Sequence, residues 1–287
     1  MKRAIASIVA AGLLLGLFAK STVAQTPAPS TQPGAGKVVG EDYFFNHQVR
    51  NGAQWHYIWD DSTINGYSKF GDVFKSFGAT LAHCDHAPTA ADLDKYSIYF
   101  IVNPSTVKNA APNQPNYMDQ ASGDAIEAWV KAGGTLCVFM NDVNNTEFTH
   151  LDTLTDRFGI HFNPVLRNAV PSANDRTPGT FMAAVLPDHP IFKDVKAVYM
   201  KEICTITVKD PAQPLLVVDD EKHDGGKDVV IATAKVGKGF VFGVCDPWFY
   251  NEYIDLKDAH IPAIDNRKAA TNFAGWILGI ANPPIQP

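Results

Sequence analysis

What the chain lacks limits its chemistry before anything present is considered. Its four cysteines, Cys84, Cys137, Cys204 and Cys245, form no CxxC and no zinc-ligand spacing. Cys137 and Cys245 lie inside apolar runs, where cysteine behaves as a small hydrophobe. Buried free thiols are therefore expected, and no disulfide framework. No Gly-x-Ser/Cys-x-Gly elbow is present, which argues against covalent hydrolase chemistry on a strand-to-helix turn. No G-x-G-x-x-G follows the first strand-like run and no P-loop occurs anywhere, so dinucleotide and nucleoside triphosphate cradles are absent. Basic residues number 24 against 30 acidic ones. Without a basic stripe to neutralise phosphates, no nucleic-acid partner is expected.

The N-terminus supplies the first positive signal. Lys2 and Arg3 precede an almost wholly apolar run from Ala4 to Ala19, and Thr22-Val23-Ala24 offers small residues for cleavage after Ala24. That run is shorter than the roughly 20 residues a spanning helix needs. The expectation is a signal peptide over 1–24 and a periplasmic or secreted protein, with no membrane association after cleavage. Residues 25–37 are mostly Pro, Gly, Ser, Thr and Ala and read as a disordered linker. Residues 38–287 are then a single α/β domain, of a size that supports one large core.

Along that domain, apolar runs alternate with amphipathic stretches. "WHYIWDD" reads as a first strand and "GYSKFGDVFKSFG" as a helix stopped at Gly78. "ATLAHCD", "SIYFIVNP" and "TLCVFMND" read as further strands, the middle one apolar on both faces as a central parallel strand must be. "TAADLDKY" is a helical turn, and "PNYMDQASGDAIEAWVKAGG" and "TEFTHLDTLTDRFG" are helices. Residues 160–227 carry short β-like runs and little helix, and read as a β-rich excursion that returns to the sheet. A hairpin turning at Val236-Gly237-Lys238-Gly239 and a last helix, "NRKAATNFAGWILGI", follow. This alternation predicts a doubly wound, mostly parallel sheet with a C-terminal β-hairpin.

In such sheets, ligands bind beyond the carboxyl ends of the strands. The predicted strands deliver Asp60-Asp61, Cys84-Asp85-His86, Asn103, Asn141-Asp142 and Asp246-Pro247-Trp248 there, with Tyr250, Asn251 and Glu252 just beyond. Together these point to a hydrophilic crevice. Asp142 and Glu147 are the acid/base candidates; the alternatives are a helix cap for Asp142 and a first-turn acid for Glu147. His150 follows Glu147 by three residues and would share its helical face, which suits an oriented acid–imidazole pair. No third ligand is fixed by spacing, so no metal and no cofactor is expected. Asp60, Asp61, Asn103, Asn141, Asn145, Asp246, Asn251 and Glu252 are candidate substrate contacts, and Arg167 a bidentate ligand for a uronate carboxylate. Trp248 is either a sugar platform or packing beneath the final helix.

"WHYIWDDSTINGYSKFGDVFKSFGA", "YFIVNP", "AIEAWVKAGGTLCVFMND", "EFTHLDTLTDRFGIHFN", "VLRN" and "GVCDPWFYNEYI" together resemble a family of class I glutamine-amidotransferase-like domains. That family occurs in exported bacterial proteins, beside or fused to unsaturated rhamnogalacturonyl hydrolases. The resemblance implies a flavodoxin-like sandwich in the company of pectin-degrading enzymes. It does not imply amidotransferase activity, because Asn141-Asp142 stand where the nucleophilic cysteine would be. The resulting expectation is an exported hydrolase or lyase that acts on acidic, rhamnogalacturonan-type oligosaccharides through strand-end carboxylates. The alternatives are a non-catalytic glycan-binding or accessory domain, with a glycan-degrading enzyme as partner, and a structural component of an envelope complex.

Overall fold

The computed structural model describes residues 32–172, 175–218 and 227–284. The expected leader and most of the expected linker lie outside the described residues. At 32–37, the described end of that linker, the chain is tied to the domain. Gly34 N–H donates to Phe77 O at 3.0 Å, and Lys37 Nζ donates to Leu278 O. A Cβ at position 34 would lie 2.6 Å from Phe77 O, so only glycine permits this approach.

Among the described residues, nine strands form one sheet. They are β1 (Val38–Asp42), β2 (Thr80–Cys84), β3 (Ile98–Val102), β4 (Thr135–Phe139), β5 (Ile160–Arg167), β6 (Ile203–Val208), β7 (Ala212–Val218), β8 (Asp228–Val236) and β9 (Gly239–Val244). The order is β2-β1-β3-β4-β9-β8-β6-β5, with β7 also pairing β8. The first five are mutually parallel, in registers such as Val102↔Phe139 between β3 and β4 and Phe139↔Val244 between β4 and β9. That is the flavodoxin-like order, with β9 taking the fifth place. The β8–β9 hairpin turns at Gly237 and Lys238, and the excursion adds antiparallel β5, β6 and β7. The fold is thus the doubly wound, mostly parallel α/β sheet the alternation predicts.

The helices are α1 (Ser68–Ser76), α2 (Ala90–Leu93), α3 (Val107–Ala110), α4 (Gln120–Ala132), α5 (Asp152–Thr155), α6 (Asn251–Ile254) and α7 (Asn266–Ile280). α1 buries Phe70, Val73 and Phe74. Phe70 meets Phe74, Phe100, Phe139, Phe249 and Phe273, with ring centroids 4.9–6.4 Å apart. Each fully buried ring of this kind contributes about 1.5–3 kcal/mol over leaving it exposed. α4 starts at Asp119, whose carboxylate accepts from Ser122 N–H at 2.7 Å, and ends at Gly133, φ 134°.

Two expected elements differ. Residues 55–61 form turns instead of a strand, with His56 and Tyr57 at φ 74° and 54°. The first strand is β1, whose acidic end disguised it. Glu41 and Asp42 are fully buried. Asp42 is satisfied by the N–H groups of Phe45 and Asn46 at 2.8 and 3.1 Å and by Tyr99 OH at 3.1 Å. Glu41 Oε2 accepts from Trp59 N–H at 2.7 Å. The helix expected from Thr146 is confined to α5 and one 3₁₀ turn, Asp156–Phe158, leaving Glu147 and His150 in irregular chain before it.

Candidate functional site

A cavity of about 170 Å³ opens at the carboxyl ends of β3, β4 and β9. Drug-sized ligands occupy about 300–1,000 Å³, so this space suits one small polar unit. Asn103 reaches it from β3, held by Thr146 Oγ1, which donates to its Oδ1 at 2.6 Å. Asn141 and Asn145 reach it from the turn after β4, and Asp246 and Pro247 from β9. Gln48 and Asn109 add two more amides, while Tyr57, Tyr250 and Tyr253 form an aromatic side. Lys201 and Glu202 arrive just before β6, joined at 2.8 Å.

The electrostatics favour neutral groups around one cation–anion pair. Burial pushes the Asp246 carboxyl up to about 8, against the backbone N–H groups of Trp248 and Lys201 and the Lys201 charge, all of which favour ionisation. At neutral pH it is mostly protonated and can donate. Burial pulls His56 down to about 4, opposed by Asp61, so its imidazole is neutral. Its Nδ1 lies 2.8 Å from Gln48 Oε1. Burial, reinforced by the negative charge of Asp246, raises the Tyr57 hydroxyl well above its ordinary value.

Backbone strain collects here as well. His56, Tyr57, Asn103 and Glu202 line the cavity with φ of 74°, 54°, 46° and 53°, and neighbouring Trp248 stands at 27°. Each such residue costs about 1–3 kcal/mol unless its surroundings fix it, and such residues cluster at binding sites.

The expected catalytic group does not converge on this cavity. Asp142 is buried and builds a turn: its carboxylate accepts from Asn144 N–H at 2.8 Å and from Asn145 Nδ2 at 2.5 Å. It aims Asn145 without lining the cavity itself. Glu147 closes on its own turn, accepting from His150 N–H at 3.0 Å and meeting His150 Nδ1 at 2.9 Å. His150 stacks on Tyr117, centroids 4.1 Å apart, away from the lining.

Of the expected substrate contacts, Asn103, Asn141, Asn145 and Asp246 line the cavity. The others have structural roles. Asp61 accepts from His56 N–H at 2.9 Å and Thr63 N–H at 2.8 Å, while Asp60 meets Tyr43 OH at 3.1 Å. Arg167 is buried, its Nε 3.4 Å from Asp228, so it is not an open receptor for a uronate. Trp248 is fully buried against Phe249 and Phe192 and offers no sugar platform. Asn251 Nδ2 donates to Asp61 O, Thr63 O and Ser68 Oγ, and its Oδ1 accepts from Lys69 N–H, which pins α6 to α1. Glu252 is half-buried outside the lining. A Cβ on Gly66 would lie 1.8 Å from Asp61 O, so this loop closes only around glycine.

The sequence reading missed Gln48, His56, Asn109, Lys201 and Glu202. His56 lay within a stretch read as strand, and "MKEIC" within the β-rich excursion. No motif marks either.

Two groups among the described residues bring three ligand atoms within 4.8 Å of one another: Cys84, His86 and Asp92, and Asp152, Asp156 and His161. In the first, burial pushes the Cys84 thiol up to about 11, which disfavours the thiolate a metal needs.

The sequence matches no family model and no curated protein. Among solved structures, the chain is similar to the mmIFT52 N-terminal domain, with TM-score 0.61, 12% identity, and 84% of this chain and 97% of that one covered. It is also similar to a ThuA-like protein from Bacteroides uniformis ATCC 8492, with TM-score 0.46, 13% identity and 91% and 100% coverage. An exo-β-1,4-mannosidase from Opitutaceae bacterium strain TAV5 aligns with TM-score 0.44 and 12% identity, over 85% of this chain and 36% of that one. The first supports the fold alone, and the other two are too distant to carry function.

Proposed function

We propose that the cavity binds a single terminal sugar unit of an acidic oligosaccharide, and that the chain is an exported participant in glycan breakdown. The observation that carries this reading is the wall itself: five amides, from Gln48, Asn103, Asn109, Asn141 and Asn145, around Asp246, whose carboxyl burial pushes up to about 8. Each amide both donates and accepts, which matches the paired character of hydroxyl groups. The tyrosines offer faces and edges to the apolar side of a sugar ring. Calorimetry with a panel of neutral and uronic monosaccharides and disaccharides tests the proposal. Saturable binding that Asn141→Ala weakens is expected; no heat with any sugar would sink it.

A second reading, hydrolysis or elimination, is favoured by one feature. A carboxyl held protonated near neutrality is suited to general acid work, and Glu202 is a second carboxylate in the same wall. Asp246 and Glu202 replace Asp142 and Glu147 as the pair to test. Product analysis with rhamnogalacturonan oligosaccharides decides it, since Asp246→Asn would retain binding and abolish turnover.

A further inference from the structure

We propose that Arg50 reads the carboxylate of a uronate unit adjoining the sugar in the cavity, forming a second subsite; this rests on the glycan reading above. Val49–Arg50 and Ala53–Gln54 form a two-stranded arm in which Arg50 pairs Ala53. The arm turns at Asn51 and Gly52, both left-handed at φ 53° and 79°, as a two-residue Asn-Gly hairpin requires. Its base is fixed. Gln54 Nε2 donates to Tyr43 O and Asn46 O, both at 2.6 Å, and Trp55 N–H donates to Gln48 O at 3.1 Å.

From this base a stack of rings runs outward from the cavity. His56 lies on Tyr57 with centroids 3.8 Å apart, and Trp55 lies on His56 at 4.8 Å. Arg50 Cζ sits 4.9 Å from the centroid of Trp55. His56 and Tyr57 line the cavity, so the stack joins the cavity wall to an exposed guanidinium. A cation over an indole is attracted to the ring face without consuming its N–H donors. Those donors stay open to a bidentate carboxylate contact.

Lys201 and Arg167 are committed elsewhere. Lys201 is held by Glu202 at 2.8 Å, and Arg167 is buried against Asp228. Arg50 makes no ion pair among the described residues.

The test is calorimetry with a galacturonate–rhamnose disaccharide and its carboxyl-reduced counterpart, on the purified wild type, Arg50→Ala, Arg50→Lys and Asn141→Ala. Wild type is expected to prefer the acidic disaccharide by about tenfold or more, the size of a hydrogen-bonded charge contact. Arg50→Ala removes that preference without changing affinity for the reduced sugar. Arg50→Lys, which keeps the charge and loses the fork, falls between. If wild type binds both disaccharides equally, or Arg50→Ala behaves as wild type, the subsite is overturned; continued weakening by Asn141→Ala then leaves the cavity reading standing. If wild type binds neither, both fall. Arg50 is on an exposed arm, so a thermal melt of Arg50→Ala should match wild type.

Discussion

The two sides of the cavity wall are built by different kinds of backbone. On one side, Asn103, Asn141, Asn145 and Asp246 follow the ends of β3, β4 and β9, three parallel strands locked in register. On the other, His56, Tyr57, Lys201 and Glu202 come from segments outside any strand, three of them left-handed. The strand ends place short polar groups with one left-handed residue among them, Asn103 at φ 46°. Irregular segments supply rings and charge, and hold them at a cost of about 1–3 kcal/mol per strained residue. Under the proposed glycan reading, the division of labour would be that the sheet side meets hydroxyls and the irregular segments select among sugars.

The largest effect should come from Asp246. Asp246→Ala leaves the Trp248 and Lys201 N–H groups without their acceptor and should cost about 2–4 kcal/mol in denaturant unfolding, together with all sugar binding. Asp246→Asn keeps a neutral donor and an acceptor, so it should fold and bind. The sign of the pH effect follows from a carboxyl raised above its unfolded value. Its stabilising contribution is fully present below about pH 4 and is lost as pH rises through the folded value, about 8 for Asp246 and about 7 for Asp42. Thermal melts of the wild type should therefore decline from about pH 4 to about pH 8, and Asp246→Asn should flatten the upper part. Sugar affinity should weaken through the same upper window in wild type and stay level in the variant.

Next in size, Asn251→Ala removes four hydrogen bonds between α6 and the 61–69 segment and should lower stability by about 2–3 kcal/mol. Because Asn251 touches no part of the cavity, affinity at a temperature where the variant is folded should change little. A large loss would make it a binding residue after all. Asn141→Ala should shift the balance, weakening sugar binding by about tenfold while unfolding free energy falls by about 1 kcal/mol, because the Asn141 Oδ1 accepts from Asp142 N–H at 2.9 Å.

Glu202→Gly tests the strained side directly. Glycine accepts φ 53° freely, so stability should rise by up to about 1 kcal/mol while sugar affinity falls. If stability falls instead, the Lys201 contact outweighs the strain and the division of labour fails. The smallest effect belongs to Glu147→Gln: its carboxylate serves only its own turn and His150, so affinity and turnover should match wild type in titration and product assays.

How far the site was legible depended on the backbone that carried it. Asn103, Asn141 and Asp246 follow apolar runs too plain to mistake, and parallel strands must deliver their carboxyl ends to one edge. Glu147 and His150 were misread because their spacing matches a helical face, yet no helix forms until Asp152. Turn contacts with Pro104 O and within the Glu147–His150 pair take the place of the helical ladder there. Trp248 stays open in the sequence for a different reason: a tryptophan beside acids has the same composition whether it faces a sugar or the core, and only its burial selects packing.

By itself, the sequence determined the strand–helix alternation, the doubly wound sheet and its hairpin, and the edge at which the polar strand ends gather. Those follow from local periodicity and from the rule that parallel strands end together. Only the tertiary structure decided that Arg167 is a buried partner of Asp228, that Glu41 and Asp42 end a strand, and that His56, Lys201 and Glu202 meet Asp246 across the crevice. These are contacts between residues far apart in the chain, set by packing and desolvation, and no short-range pattern encodes them.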